Sequence, residues 1–172
     1  MRLKSLLLGG GLLLSTLSWA QSTTSIASNG RKVLKGKIEM KTLMNDSAFA
    51  WFYSGVNKYQ PNDNMLNYVK DNRGKFNVVA VIGTWDDASR RALPALYKVM
   101  ILAGSPEEQI LTYGADEKLQ TNAPQDYKVK KLPVFIMFRE GKEIGRINSD
   151  EEDSIESAMA KILLKANRKE KE

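Results

Sequence analysis

The 172-residue sequence contains neither cysteine nor histidine. Without a thiol there is no disulfide to brace the fold and no thiolate to act as nucleophile or metal ligand. Without an imidazole the Ser-His-Asp and Cys-His mechanisms are excluded, together with the commonest general base near neutral pH and the usual zinc ligand. Long apolar runs are nearly absent too. The one exception, residues 6–17, follows the short basic start Met1-Arg2-Leu3-Lys4 and precedes Ser18-Trp19-Ala20. Small residues at Ser18 and Ala20 stand where a signal peptidase reads, and the run is short for a membrane span. Residues 1–20 are therefore expected to be a secretory signal peptide. The missing cysteine excludes a lipidated bacterial N-terminus, so the expected product begins near Gln21 and is not inserted in a membrane.

Cleavage would leave 152 residues, enough for one domain with its own core. It would also remove two of the 26 basic residues and none of the 20 acidic ones, lowering the net charge from +6 to +4. That imbalance is mild. No stretch alternates basic and aromatic residues as a single-strand binding groove would, so nucleic acid is not an expected partner.

Residues 21–32 are rich in Ser and Thr and read as a flexible leader. From Leu34 the chain alternates, with Leu34, Gly36, Ile38 and Met40 on one face and Lys35, Lys37, Glu39 and Lys41 on the other, which predicts a half-buried strand near a sheet edge. Asn45-Asp46-Ser47 can cap a helix carrying Phe49, Phe52, Tyr53 and Val56, with Trp51 beside them. A second helix through Met65, Leu66 and Val69 ends before Gly74. Residues 76–82 are apolar and β-branched, as in a parallel strand covered on both faces.

Gly83 and Thr84 then turn the chain into a helix over residues 87–102, with Leu93, Leu96, Tyr97 and Met100 on one face. Pro94 removes a backbone donor inside it and predicts a bend. Beyond Gly104, Ser105-Pro106-Glu107-Glu108 reads as one turn, residues 109–113 as a strand and residues 116–125 as irregular. Pro124-Gln125-Asp126-Tyr127 is expected to form a turn of helix. A second buried strand at residues 133–138 pairs through the Glu140-Gly141 turn with residues 142–147. Ser149 and Glu152 have capping-box spacing ahead of a last amphipathic helix carrying Ile155, Met159, Ile162 and Leu163. The carboxylates of residues 150–153 suit a helix N-terminus better than a metal.

The stretch Gly83-Thr84-Trp85-Asp86-Asp87-Ala88-Ser89-Arg90-Arg91-Ala92-Leu93-Pro94, the loop Lys131-Leu132-Pro133-Val134-Phe135, the turn Arg139-Glu140-Gly141-Lys142 and the strand Ile144 to Ile147 together resemble the thioredoxin superfamily, in particular exported members of Gram-negative bacteria. Trp85 matches the Trp before the first active-site cysteine of that family. Asp86 and Ser89 stand where its two cysteines would be, Arg90 matches the basic residue that follows, and Pro94 the helix proline. The resemblance covers residues 33–165 and leaves a charged tail at 166–172. It implies an α/β, thioredoxin-like fold: a central mixed β-sheet flanked by helices, with an N-terminal strand and helical extension. It implies a cis bond at Pro133 and location in the periplasm, or outside the cell.

The same resemblance would imply thiol–disulfide exchange, but that reaction needs a sulfur nucleophile. Asp86 would be a fixed anion in the field that stabilises a thiolate elsewhere, and Ser89 is expected to cap the helix. Two further readings follow. One is a non-catalytic module without cofactor or metal, which holds extended segments of exported proteins against Trp85, Leu132 and Pro133 by strand addition. The other is a carboxylate- or metal-dependent enzyme using Asp86 and Asp87, with Asp116 and Glu117 as the remaining candidate ligands.

Overall fold

A computed structural model describes residues 22–150 and 152–170. The expected signal peptide lies outside them. The chain is α/β, with a six-stranded mixed sheet flanked by helices. Its strands are β1 (Thr23–Ile26), β2 (Lys32–Ile38), β3 (Asn77–Ile82), β4 (Ile110–Gly114), β5 (Val134–Arg139) and β6 (Lys142–Asn148). Their order across the sheet is β1-β2-β4-β3-β5-β6. Only β3 and β4 run parallel; every other neighbouring pair is antiparallel. The helices are α1 (Met40–Asn45), α2 (Ala50–Lys58), α3 (Asp63–Asp71), α4 (Asp87–Leu102) and α5 (Ile155–Lys169).

Strand periodicity divides the core in two. Alternate side chains of a strand point to opposite faces, and β3 sends Val78, Ala80 and Ile82 to one face and Val79 and Val81 to the other. The first face packs on Leu43 of α1, Phe52 of α2, Val69 of α3, Leu96 and Met100 of α4, and Met159 and Leu163 of α5. Among the described residues no helix contributes to the second cluster. There Val79, Val81, Val134 and Ile136 are covered by Tyr127, Leu132 and Trp85, which belong to connecting segments.

The helix over 87–102 forms as its periodicity predicts, with Pro94 inside it. Pro94 lies against α2: a Cβ added at Gly55 would sit 2.6 Å from the Pro94 Cβ. Glycine at 55 therefore sets how closely α2 and α4 approach.

Several expectations are corrected. The leader carries β1, paired with β2 from Thr23↔Lys35 to Ile26↔Lys32. All four β1 residues are exposed, so backbone pairing rather than burial makes this strand, and no apolar alternation announces it. Met40 leaves the strand pattern and opens α1. Within the expected capping segment Asn45-Asp46-Ser47 it is Asp46 that acts: it accepts the Ala48 amide and starts a 3-10 turn at residues 47–49 that precedes α2. Residues 124–127 form no helical turn; the Asp126 side chain instead accepts the Lys128 amide at 2.8 Å, closing a local turn. The capping box at Ser149 and Glu152 does not form. Helix α5 begins at Ile155 with Ser154 at its N-cap position and continues to Lys169, so most of the expected tail is helical. No described helix is long and apolar enough to cross a membrane.

Candidate functional site

Strand β3 delivers the chain to the rim of the sheet, and the next seven residues are fixed by side chains. Gly83 O accepts the Asp86 amide at 3.0 Å. The buried Thr84 hydroxyl donates to Lys32 O at 2.8 Å and accepts the Leu34 amide at 3.0 Å, tying the loop to β2. Trp85 Nε1 donates to Ala115 O at 3.0 Å while its ring packs on the second cluster. The indole is thus both a lid on that core and a link to the end of β4.

Asp86 occupies the N-cap position of α4. Its Oδ2 accepts the Ser89 amide at 2.7 Å and the Ser89 hydroxyl at 2.7 Å. The fully buried Ser89 Oγ in turn accepts the Gly83 amide at 3.0 Å. The capping role expected of Ser89 therefore belongs to Asp86, and Ser89 serves it. A carboxylate suits the positive end of a helix and satisfies a donor that has no partner inside it.

Asp87 points elsewhere. Arg31 Nη1 donates to Asp87 Oδ1 at 2.7 Å and to Trp85 O at 2.9 Å, and Asn29 Nδ2 reaches the same carbonyl at 3.1 Å. The hydrogen bond and then the charge of Arg31 hold the Asp87 carboxyl below the usual carboxylate range. Arg90 lies over the Trp51 ring at 5.4 Å, and burial pushes its guanidinium down. Asn29 and Arg31 were not singled out in the sequence, and Thr84 was read only as a turn residue, because their partners lie fifty or more residues away.

The Leu132–Pro133 bond is cis. The Leu132 side chain is only 8 % exposed and belongs to the second cluster with Trp85, so both expected flanks of a peptide site are partly consumed as core. The ladder from β5 to β6 begins at Val134, which leaves the Leu132 backbone outside it. On the other side of this loop Pro133 meets α4. Ala88, Arg91, Ala92 and Pro133, with Phe135 and Ile147 below, line a pocket of about 280 Å³. Arg91 is exposed at its rim.

The four carboxylates considered for metal or acid–base chemistry do not converge. Asp86 faces Ser89 and Asp87 faces Arg31. Asp116 pairs with Lys35 at 2.7 Å. Burial raises the Asp116 carboxyl, but Lys35 and the Gln120 and Lys118 amides outweigh it and leave it lowered. Glu117 accepts from the Ser28 amide and hydroxyl. No group of three or more metal-ligating side chains is found among the described residues.

Comparison of the chain with protein families, with curated proteins and with solved structures finds no match.

Proposed function

We propose that this chain is an exported, thioredoxin-like protein that has exchanged redox chemistry for binding, holding extended polypeptide segments at the face formed by Pro133 and the start of α4. One observation carries the reading. At the position of a reactive thiolate, the Asp86 carboxylate is closed onto the amide and hydroxyl of Ser89, beside a cis-proline loop that shares a pocket with Ala88 and Arg91. The Asp86 carboxylate and the Ser89 amide and hydroxyl are engaged with one another at the helix start, which is what a fixed scaffold needs and a nucleophile does not. The order of strands and helices, the place of Trp85 and the proline within α4 agree with that scaffold.

An unpaired backbone ahead of β5 can add a strand by main-chain hydrogen bonds. The pocket floor of Ala92, Ala95, Phe135 and Ile147 offers apolar contact for a side chain beside it, and Arg91 a charge at its rim. Because Trp85 and Leu132 are largely core, the binding contacts fall on the Ala88–Arg91 side of Pro133.

The test is a photo-crosslinking amino acid placed at Arg91, and separately at Ala88, in the full chain in living cells. Discrete adducts with other exported polypeptides are the expected result, and adducts lost when Pro133 is replaced by Ala locate them to this loop. Absence of adducts from both positions would reject the binding role. In parallel, reduction of insulin disulfides by the purified unaltered protein would reject the claim that redox chemistry has gone. Gain of that activity in Asp86→Cys/Ser89→Cys would show that only sulfur is missing from the scaffold.

A further inference from the structure

A second surface lies at the opposite edge of the loop. Strand β6 is the outermost strand, and only one of its edges is used in pairing with β5. The register places Arg146 opposite Ile136, on the same sheet face as the second cluster. Residues 127–131 run beside this face, held by a bond from Arg146 Nη1 to Tyr127 O at 3.2 Å. Between segment and strand is a groove of about 570 Å³ with Val129 and Val134 on its floor. Lys128, Lys130 and Lys131 rise along one wall, all exposed. Arg146 stands opposite, its charge met by Glu143 at 2.6 Å, and Asp150 is the carboxylate in the groove lining. Among the described residues neither Lys130 nor Lys131 has an ion-pair partner.

An open strand edge exposes a row of amides and carbonyls that will accept another strand, and proteins commonly guard such edges with lysine. Here Lys142 opens the edge strand itself, but Lys128, Lys130 and Lys131 stand beside the edge rather than on it. They repel a second copy of this basic chain, yet they leave the β6 backbone itself accessible to a strand that brings negative charge. We propose that the β6 edge and its lysine wall bind an extended acidic polypeptide segment with Asp or Glu at alternate positions. Alternate spacing follows because only every second residue of an added strand faces the lysines. The apolar floor and the carboxylates of Glu143 and Asp150 favour a peptide over a continuous polyanion, and no aromatic side chain lines the groove to stack a base. This surface does not depend on the Pro133 pocket for its occupant.

The probe is a fluorescein-labelled octapeptide alternating Glu and Thr, titrated with the full mature chain at low ionic strength and followed by anisotropy. Binding is expected, weakening with added salt. It should fall by about tenfold or more both for the Gln/Thr counterpart and for Lys128→Glu/Lys130→Glu/Lys131→Glu. The milder Lys130→Ala/Lys131→Ala should give a partial loss, which keeps the test decisive if the triple variant folds poorly. Lys165→Glu/Lys169→Glu, on α5, should bind as the unaltered chain does. Amide shifts on binding should concentrate in β6. Equal affinity of the lysine variants, equal affinity for the Gln peptide, or tighter binding of a single-stranded oligonucleotide or of phosphatidylserine vesicles would each overturn the proposal. Loss of octapeptide binding with crosslinking at Arg91 intact would leave the Pro133 reading standing alone.

Discussion

Asp86 Oδ2 receives both the amide and the hydroxyl of Ser89, each at 2.7 Å. The two residues, three apart in the chain, together form one cap at the start of α4. Substituting Asp86 by Ala removes the acceptor and leaves the Ser89 hydroxyl, wholly buried, with only its bond from Gly83. An N-cap of this kind contributes about 1 kcal/mol, up to about 2. Asp86→Ala should therefore lower the unfolding free energy by that amount, read as a lower urea midpoint at unchanged slope, while Asp86→Asn, which still accepts, should lose less than half as much. Equal losses for Ala and Asn would mean that the cap is not what Asp86 provides.

Arg31 is the second clamp on this loop, and its effect is readable by titration. It holds the Asp87 carboxyl low, first by hydrogen bond and then by charge. A carboxyl lowered in the folded state contributes stability above the ordinary carboxylate range, and the contribution disappears as pH falls through the lowered value. Asp87 is exposed, so the energetic effect is small, but the midpoint itself should move. In Arg31→Ala the Asp87 side-chain NMR signal should titrate in the ordinary carboxylate range, higher than in the unaltered protein. The amide of Asp86, which donates to Gly83 O and shares a peptide unit with the Trp85 carbonyl that Arg31 holds, should exchange faster as well. An unmoved midpoint would disconnect the β1–β2 turn, where Arg31 lies, from the loop.

These two clamps differ in how far they can be seen from sequence. The Asp86–Ser89 pair lies three residues apart ahead of a periodic apolar face, so cap, helix and landmark residues are all local. Strands β3 and β5 are legible for a related reason, being apolar runs bounded by turn signals. Arg31 is fifty-six residues from Asp87, and it sits among small polar residues that carry no periodicity. Strand β1 was hidden by the same composition, since four exposed residues leave no hydrophobic record of their pairing. The start of α5 was misplaced because Ser149 and Glu152 have the spacing of a capping box. Ser154, five residues later, stands at the true cap position, and the adjoining Glu156 is drawn inward to distant partners. Leu132 was legible as apolar but not as core, because its burial depends on Trp85 and Tyr127 meeting over a sheet face without helices.

Glu156 offers the sharpest test of that inward turn. It is 2 % exposed, yet its carboxylate is fully engaged: Oε1 accepts the Asn62 amide at 2.9 Å and the Ser154 hydroxyl at 2.7 Å, and Oε2 accepts the Tyr59 hydroxyl at 2.7 Å. Burial alone would raise this carboxyl; the three donors outweigh it and hold it below the usual range. The same burial, with the adjacent carboxylate, pushes the Tyr59 hydroxyl well up. Because the folded-state carboxyl is lowered, its contribution is present above the unfolded value and fades as pH drops through the folded one. In Glu156→Gln the amide oxygen can stay on Asn62 and the NH₂ group can donate to Tyr59, so the loss at neutral pH should be about 1 kcal/mol, whereas Glu156→Ala strands the Asn62 amide and should cost about 1–3 kcal/mol. The difference in urea midpoint between the unaltered chain and Glu156→Gln should be widest at neutral pH and close as the solution is acidified. Curves that stay parallel down to acid pH would place the ionised form of Glu156 outside the linkage between the start of α3 and the start of α5.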